Sequence, residues 1–213
     1  MEDANPMSMQ PTPLSMALSQ RKSDERATPL SAFRMARRWW LEGRRLNLSL
    51  LAEELGIGRA TLMRWVGNKD LLMGEILWSL YKGIYDQAIE KARIDHPKRG
   101  IDFLGQIYTD VNVALINAKP MHDFLAAEPQ WGLQLLTSNV SGLQQRLIDE
   151  WEALFEEEIE AGRINPEMDA NSLAYFIIRI GEGAIYCDLI CGRTPDPERA
   201  GQAFRLLVNG HTR

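Results

Sequence analysis

The sequence predicts an all-α protein with a small N-terminal module and a larger C-terminal one. Apolar residues recur at spacings of three and four through nearly every segment after residue 28, which is the period of an amphipathic helix. No stretch shows the alternation of β-branched or aromatic residues that is typical of a strand. With 213 residues, 25% of them charged and 45% hydrophobic, the chain is long enough to bury a core without disulfides. We expect about nine helices.

Residues 1–27 are predicted to form a disordered arm. This segment is rich in Pro, Ser, Gln and Met and has no sustained apolar period, so it cannot bury enough surface to fold. It also lacks the charged-then-apolar pattern of a secretory signal, and no later segment is apolar enough to span a bilayer. With only two cysteines in the chain, these observations favour a reducing cytoplasm.

The first two ordered helices are predicted from their end signals. Thr28 can cap a helix that has Pro29 at its first position and ends near Gly43. Asn47 can cap a second helix, which Gly56 closes in the left-handed conformation that other residues resist.

A third helix is predicted from about Arg59 to Val66, before a break at Gly67. A long amphipathic pattern then predicts a fourth helix from Lys69 to Ile94. The later helices are predicted over 101–118, 120–127, 131–161 with a break near 138–142, 169–191 and 196–209.

The charges are divided unequally along the chain. The net charge of −5 argues against a polyanionic partner, but residues 21–73 hold eleven basic and six acidic residues, whereas 74–213 hold thirteen basic and twenty-one acidic ones. A basic module joined to an acidic one indicates nucleic-acid contact by the basic part.

The most specific signal is the segment LSLLAEELGIGRATLMRWVGNKDLL at 48–72. Two short helices joined by a Gly-containing turn, the second of them basic, are what a helix-turn-helix requires, because such a helix fits the major groove of DNA. Arg59 and Arg64 could bond to guanine, and Lys69 could hold a phosphate. The alternative is a structural helical hairpin of chance composition.

Residues 29–75 resemble the TetR family of bacterial transcriptional regulators, through Gly56-Ile57 and the Asn68-Lys69-Asp70-Leu71 step into the long helix. The family usually has Ser or Thr at Gly58, Tyr at Met63 and Phe at Val66. Because the family tyrosine commonly bonds a phosphate, Met63 cannot supply that contact, and Trp65 is the candidate aromatic contact instead. Motif and resemblance together give as candidate DNA-binding residues Asn47, Ser49, Arg59, Ala60, Thr61, Arg64, Trp65 and Lys69.

The C-terminal part is similar to a narrower set within that family, the QsdR-type regulators. The similarity lies in Phe124-Leu125-Ala126-Ala127-Glu128-Pro129 and in Arg179-Ile180-Gly181-Glu182, among other short matches. It implies a repressor of genes for lactone breakdown, and a lactone as the small molecule that is sensed.

A polar pair is predicted inside an apolar helix over 171–192. Arg179 and Glu182 are three residues apart in a segment that must be buried on most sides, and buried charge needs a partner. They can pair with each other, or one can meet a ligand or a second subunit. Candidate ligand-binding residues are Tyr108, Asn112, Trp131, Arg179, Glu182 and Tyr186; for the aromatic residues and Asn112 the alternative is ordinary core packing.

No catalytic, metal or cofactor site is predicted. Cys187 and Cys191 fit small buried hydrophobes, His96, His122 and His211 stand singly, and the acidic run at 156–160 is expected to be a solvated helix face. The chain is therefore not expected to be an enzyme.

These observations predict a bacterial, cytoplasmic repressor, with a DNA-binding domain at 28–75 and a ligand-binding and dimerisation domain at 76–213. Its expected partners are a double-stranded, pseudo-palindromic operator, an inducer and a second copy of itself, with the helices at 171–192 and 197–208 forming a four-helix interface. The alternatives are an activator of the same architecture, a helical ligand carrier or small enzyme that does not bind DNA, and a dimerising scaffold.

Overall fold

The computed structural model describes residues 12–19, 27–187 and 191–209. Within these ranges it contains helices and no strand, which confirms the predicted fold class. In chain order the α-helices are α1 Pro13–Ser19, α2 Pro29–Leu41, α3 Leu48–Glu54, α4 Arg59–Val66, α5 Lys69–Asp95, α6 Ile101–Ile116, α7 Lys119–Ala127, α8 Pro129–Thr137, α9 Leu143–Glu160, α10 Ala170–Glu182 and α11 Pro197–Asn209. A 3₁₀ turn, Asn139–Ser141, lies between α8 and α9, and a π-helical segment, Gly183–Cys187, follows α10.

The chain divides into two compact units, Met1–Glu75 and Ile76–Arg213. In the first unit α2, α3 and α4 pack on one another. Their shared core includes the fully buried Ala36, Leu51 and Leu62. Burial of one apolar face on each of these short helices holds them together, because isolated helices of this length are marginal in water.

The predicted end signals act as expected in the first unit. The Thr28 side chain accepts a hydrogen bond from the Ser31 amide at 3.1 Å, and the Ser31 hydroxyl accepts one from the Thr28 amide at 2.7 Å, so α2 begins with a capping box. Gly56 has φ +66°, the left-handed conformation that was predicted for the end of α3. The turn between α3 and α4 is therefore specified locally.

The helix α1 lies within the segment that was predicted to be a disordered arm. Its Leu14 is fully buried, and α1 packs on α2 and α4. Seven residues are too few for a hydrophobic period to be detected in sequence, and tertiary contacts supply the stability that such a short helix lacks. The rest of that arm, 1–11 and 20–26, lies outside the described residues.

The second unit is built around a cluster of aromatic side chains. Trp151 of α9 packs against Tyr108 of α6 at 5.8 Å and against Phe204 of α11 at 6.0 Å between ring centroids. Tyr108 and Phe204 stack at 4.6 Å. This cluster joins three helices that are far apart in sequence. Two of its members, Tyr108 and Trp151, line the cavity described below.

The acidic run on α9 is not entirely solvated, contrary to the prediction. Glu158 is fully buried, where it accepts hydrogen bonds from the Gly100 amide at 2.9 Å and from Arg163 Nε at 2.8 Å. Burial of a carboxylate is tolerated because its charge is paired and its lone pairs are satisfied. Glu158 thereby fixes the start of α6 against the end of α9.

The region after α10 departs from the prediction of one regular helix that continues to Cys191. The π-helical segment Gly183–Cys187 continues α10, and residues 188–190 lie outside the described part. Cys191 is exposed in a turn, so the expectation that it is a buried hydrophobe was wrong. None of the described helices is long and apolar enough to span a membrane.

Candidate functional site

The first candidate surface is the outer face of α4. Leu62 and Val66 are buried beneath this helix, while Arg59 and Arg64 are exposed. Neither arginine makes a hydrogen bond or an ion pair with any of the described residues. Exposed cations that have no partner on their own chain are available to an external anion.

The beginning of α4 is also open. Gly58 is its N-cap and offers no side-chain hydrogen bond. The amides of Arg59 and Ala60, which have no partner within the helix, are therefore left for solvent or for an anion. These amides lack a side-chain cap because Gly58 stands where the TetR-like pattern usually has Ser or Thr.

Two other candidate residues lie at the start of α3. Asn47 Oδ1 accepts hydrogen bonds from the amides of Ser49 at 2.9 Å and Leu50 at 3.1 Å, so this oxygen caps α3. Both Asn47 and Ser49 are exposed. Asn47 therefore fixes the start of α3. Its side-chain NH₂ group does not take part in the cap and remains a hydrogen-bond donor.

The remaining candidates in the first unit are half-buried. Thr61 and Trp65 lie on α4, and Lys69 is the first residue of α5. Asn68 Oδ1 accepts a hydrogen bond from the Leu71 amide at 2.8 Å, which fixes the start of α5 directly beside Lys69.

Arg44 is a basic residue of this unit that interacts with other residues of the same unit. Its Nη2 lies 2.6 Å from Glu54 Oε1, and its guanidinium stacks 3.6 Å above the Trp39 ring. These contacts join the loop after α2 to the end of α3 and leave Arg44 less available than Arg59 or Arg64.

The second candidate site is a partly open cavity in the second unit, with about 440 Å³ of non-atom space that includes solvent at its open side. Its walls are mostly aliphatic and aromatic side chains from α5, α6, α8, α9, α10 and the π-helical segment. Among the sequence-predicted ligand residues, the structure brings Tyr108, Asn112, Glu182 and Tyr186 to this cavity. Apolar walls with a few polar groups are typical of small-molecule sites.

Trp131 and Arg179 do not line the cavity. Trp131 instead packs edge-to-face with Phe124 at 5.3 Å, so it joins α8 to α7. Arg179 lies behind the wall, where its Nη1 is 2.9 Å from Glu182 Oε2. The pair predicted from their spacing is therefore present, with Glu182 as its cavity-facing member.

A third residue completes this polar network. Gln144 Nε2 donates to Glu182 Oε1 at 2.9 Å, and Arg179 Nη2 donates to Gln144 Oε1 at 2.8 Å. Burial raises the pKa of Glu182, and its hydrogen bond from Gln144 and the charge of Arg179 oppose that rise. Both oxygens of Glu182 are thus already bonded within the wall.

Sequence reasoning missed Tyr81 and Trp151, which meet in the same wall. Trp151 Nε1 donates a hydrogen bond to the Tyr81 hydroxyl at 2.7 Å, across 70 residues of sequence. Helical periodicity places both on apolar faces but contains no signal that pairs them. Gly181 was also missed as a wall residue: a methyl group there would lie 3.3 Å from Asn112 Oδ1 and 3.4 Å from the Tyr108 hydroxyl.

The described residues contain no group of three or more His, Cys, Asp or Glu side chains that could hold a metal ion. His211 lies outside the described part of the chain.

Comparison with known proteins identifies a family and relatives of known structure. Residues 99–209 match the family model "Tetracyclin repressor-like, C-terminal domain", which is more than half of the chain. Among 14 matching chains of known structure is the R. erythropolis transcriptional repressor QsdR from the TetR family, which is 24% identical, with 87% of this chain and 97% of that chain covered and a TM-score of 0.76. That likeness is one of fold. No curated protein matches the chain.

Proposed function

Because this chain belongs to the TetR family of transcriptional regulators, we propose that it is a ligand-responsive repressor that binds a pseudo-palindromic operator as a homodimer. A small molecule is proposed to release the protein from DNA, and operator binding does not require it. The single observation that carries the proposal is the pair of exposed arginines on α4 that have no partner among the described residues.

The α4 helix supplies the reading surface. Arg59 and Arg64 are proposed to bond base edges in the major groove, with Thr61 as a further contact. Ala60 lies at the open start of the helix, where its amide favours a phosphate. Asn47, Ser49, Trp65 and Lys69 are proposed to hold the sugar-phosphate backbone and so to fix the register of α4 on the duplex.

A symmetric dimer follows from this mode of binding, because one α4 helix touches a half-site. Two such helices read a pseudo-palindrome when they lie about 34–36 Å apart, one turn of DNA, or a multiple of that distance. Exposed apolar residues on α10 and α11 support the dimer: Tyr175 is 42%, Phe176 44% and Leu206 74% exposed. Covering these side chains with a second copy would remove apolar surface from water.

The cavity of the second unit is the proposed inducer site. Its apolar lining with a few polar groups suits a small molecule, and the resemblance to QsdR-type regulators suggests a lactone. Binding would favour a conformer of the dimer with lower affinity for DNA, which is a shift between two populations. Members of this family are generally not enzymes, and no catalytic role is proposed.

The test is a selection of double-stranded DNA from a random pool by the full-length protein, followed by anisotropy titrations of the selected site at physiological salt. We expect one enriched pseudo-palindrome, a dimer in sedimentation, and weaker binding when a lactone is added. A scrambled duplex of the same composition is the matched control. Equal affinity for the selected and scrambled duplexes would refute operator binding, and transcript levels in a deletion strain would separate repression from activation.

A further inference from the structure

The polar groups of the cavity are unequally satisfied. The Tyr108 hydroxyl donates to the Ile177 carbonyl at 2.9 Å, and both oxygens of Glu182 accept hydrogen bonds from the wall. Asn112 is different: it is 4% exposed and interacts with the neighbouring Tyr108 side chain, but its Nδ2 makes no hydrogen bond of normal geometry in the described part of the chain.

An unpartnered amide nitrogen in the interior is costly, because its hydration is lost without replacement. Native structures keep such a group when something outside the chain satisfies it. Asn112 Oδ1 lies on the side of Gly181 in α10, where a methyl group would approach it to 3.3 Å. Because Gly181 has no side chain, there is room beside it for the Asn112 amide.

Two phenols add hydrogen-bond donors to the same cavity. The Tyr81 hydroxyl accepts from Trp151 Nε1, so its own proton is left to donate. Tyr186 makes no hydrogen bond within the described residues. Burial raises the pKa of both hydroxyls, so they stay protonated and remain donors.

The charge of a ligand is restricted by the same walls. No lysine or arginine lines the cavity among the residues that the structure describes. Arg179 stands behind Glu182 with its guanidinium already bonded to Glu182 and Gln144. An anionic ligand would lose its hydration, meet no available cation and lie beside the Glu182 carboxylate.

We propose that this cavity binds a small neutral molecule whose carbonyl oxygen accepts a hydrogen bond from Asn112 Nδ2, while its apolar part packs against Val111, Leu115 and Ile177. The corresponding carboxylates are excluded. The proposal rests on the proposed function in that it makes this cavity the inducer site, and it assigns Asn112 as the residue that selects for a neutral carbonyl.

The experiment is calorimetric titration of the full-length protein, without DNA, using two matched probe pairs. These are γ-octalactone against 4-hydroxyoctanoate, and 2-octanone against octanoate. We expect each neutral probe to bind at least about tenfold more tightly than its carboxylate partner. Carboxylates that bind as tightly as their neutral partners, or neutral probes that do not bind, would overturn the proposal.

Asn112→Leu is the central variant, because it removes the unpartnered amide and roughly keeps the volume. We expect the melting temperature to stay the same or rise, whereas affinity for the neutral probes falls about tenfold. A purely structural role for Asn112 would lower the melting temperature and leave binding intact. Asn117→Leu, on the exposed end of the same helix, is the matched control and should bind the probes like the wild type.

Two further variants keep the proposal testable if Asn112→Leu does not fold. Gly181→Ala should weaken neutral-probe binding, because its methyl group displaces the Asn112 amide. Glu182→Gln should raise affinity for the carboxylates, because it removes the negative charge and frees Arg179 to attract them. Unchanged binding of every probe in both variants would contradict the assignment.

The two proposals fail in distinguishable ways. A protein that selects an operator but binds no neutral probe would refute the ligand assignment alone. A protein that binds neutral probes through Asn112 but selects no DNA sequence would refute the regulator and leave the cavity assignment standing.

Discussion

The two units differ in how their candidate-site arginines are used. In the first unit Arg59 and Arg64 are exposed and have no partner among the described residues. In the second unit Arg179 is bonded to Glu182 and Gln144, and Arg163 is bonded to the fully buried Glu158. The α4 face of the first unit therefore keeps two cations available, whereas these two arginines of the second unit are paired with buried carboxylates.

This difference matches the chemistry of the proposed partners. A polyanion such as DNA is bound by exposed cations that exchange small counterions for phosphates. A small neutral molecule is bound where water is excluded, by apolar contacts and one or two directed hydrogen bonds. The predictions below test this division, beginning with the packed interior.

The largest effect is expected from Phe204→Ala. Phe204 is fully buried and stacks on Tyr108 at 4.6 Å and on Phe155 at 6.2 Å. Its truncation should lower the free energy of unfolding by about 3–5 kcal/mol, because a cavity replaces a packed ring. Denaturant unfolding followed by circular dichroism measures this loss. Ile94→Ala, at a side chain that is 80% exposed, is the control and should change stability by about 0.5 kcal/mol or less.

The next effect is expected from Arg64→Ala in the first unit. The variant should lose about 1–3 kcal/mol of operator binding and discriminate less between bases at one position, with normal thermal stability. Anisotropy titrations with single-base operator variants measure both effects. Arg93→Ala removes an exposed arginine of the second unit that pairs with Glu90, and it should bind DNA like the wild type. Wild-type affinity in Arg64→Ala would remove Arg64 from the interface.

A smaller and different effect is expected from Lys69→Ala. If Lys69 contacts a phosphate, its loss should weaken binding to all duplexes similarly and lower the slope of log K against log salt by about 1. Titrations at four salt concentrations give the slope. A loss confined to the operator sequence would instead assign Lys69 to base recognition.

The smallest effect is a dependence of stability on pH at the start of α10. Asp169 accepts hydrogen bonds from the Ser172 amide at 2.9 Å and hydroxyl at 2.8 Å, which lowers its pKa. Because the folded pKa is lowered, this stabilisation is present above the unfolded pKa and is lost as pH falls through the folded value. Melting temperatures between pH 6 and 3 should therefore fall less in Asp169→Asn, which can still cap α10 but cannot titrate. If the melting temperatures of both proteins fall equally with pH, Asp169 makes no such contribution.

The fold was largely predictable because its helix ends are specified by single residues. Thr28 with Pro29, Asn47, Gly56 and Gly142 act within a few residues of their own position, and each begins or ends a helix in the structure as its local chemistry predicts. The exception is α1, whose stability comes from Leu14 buried against the first unit. A contact of that kind leaves no periodic signal in seven residues.

The ligand cavity was only partly predictable. Glu182 and Asn112 could be proposed from their polar character in apolar segments, and both line the cavity. The helical period of Trp131 fits a core position and a cavity position equally well. In the structure its side chain packs against Phe124. Tyr81 was missed because its partner, Trp151, is 70 residues away.

The sequence by itself determined the helical class, the positions of most helix ends and the basic two-helix pattern at 48–72, because each of these depends on residues that lie within a few turns of one another. Tertiary structure alone decided which polar side chains face one cavity, that Glu158 is buried and paired, and that the Asn112 amide is left unpartnered. Those outcomes depend on contacts between helices far apart in sequence, and such contacts are set by how complete side chains pack rather than by any local pattern.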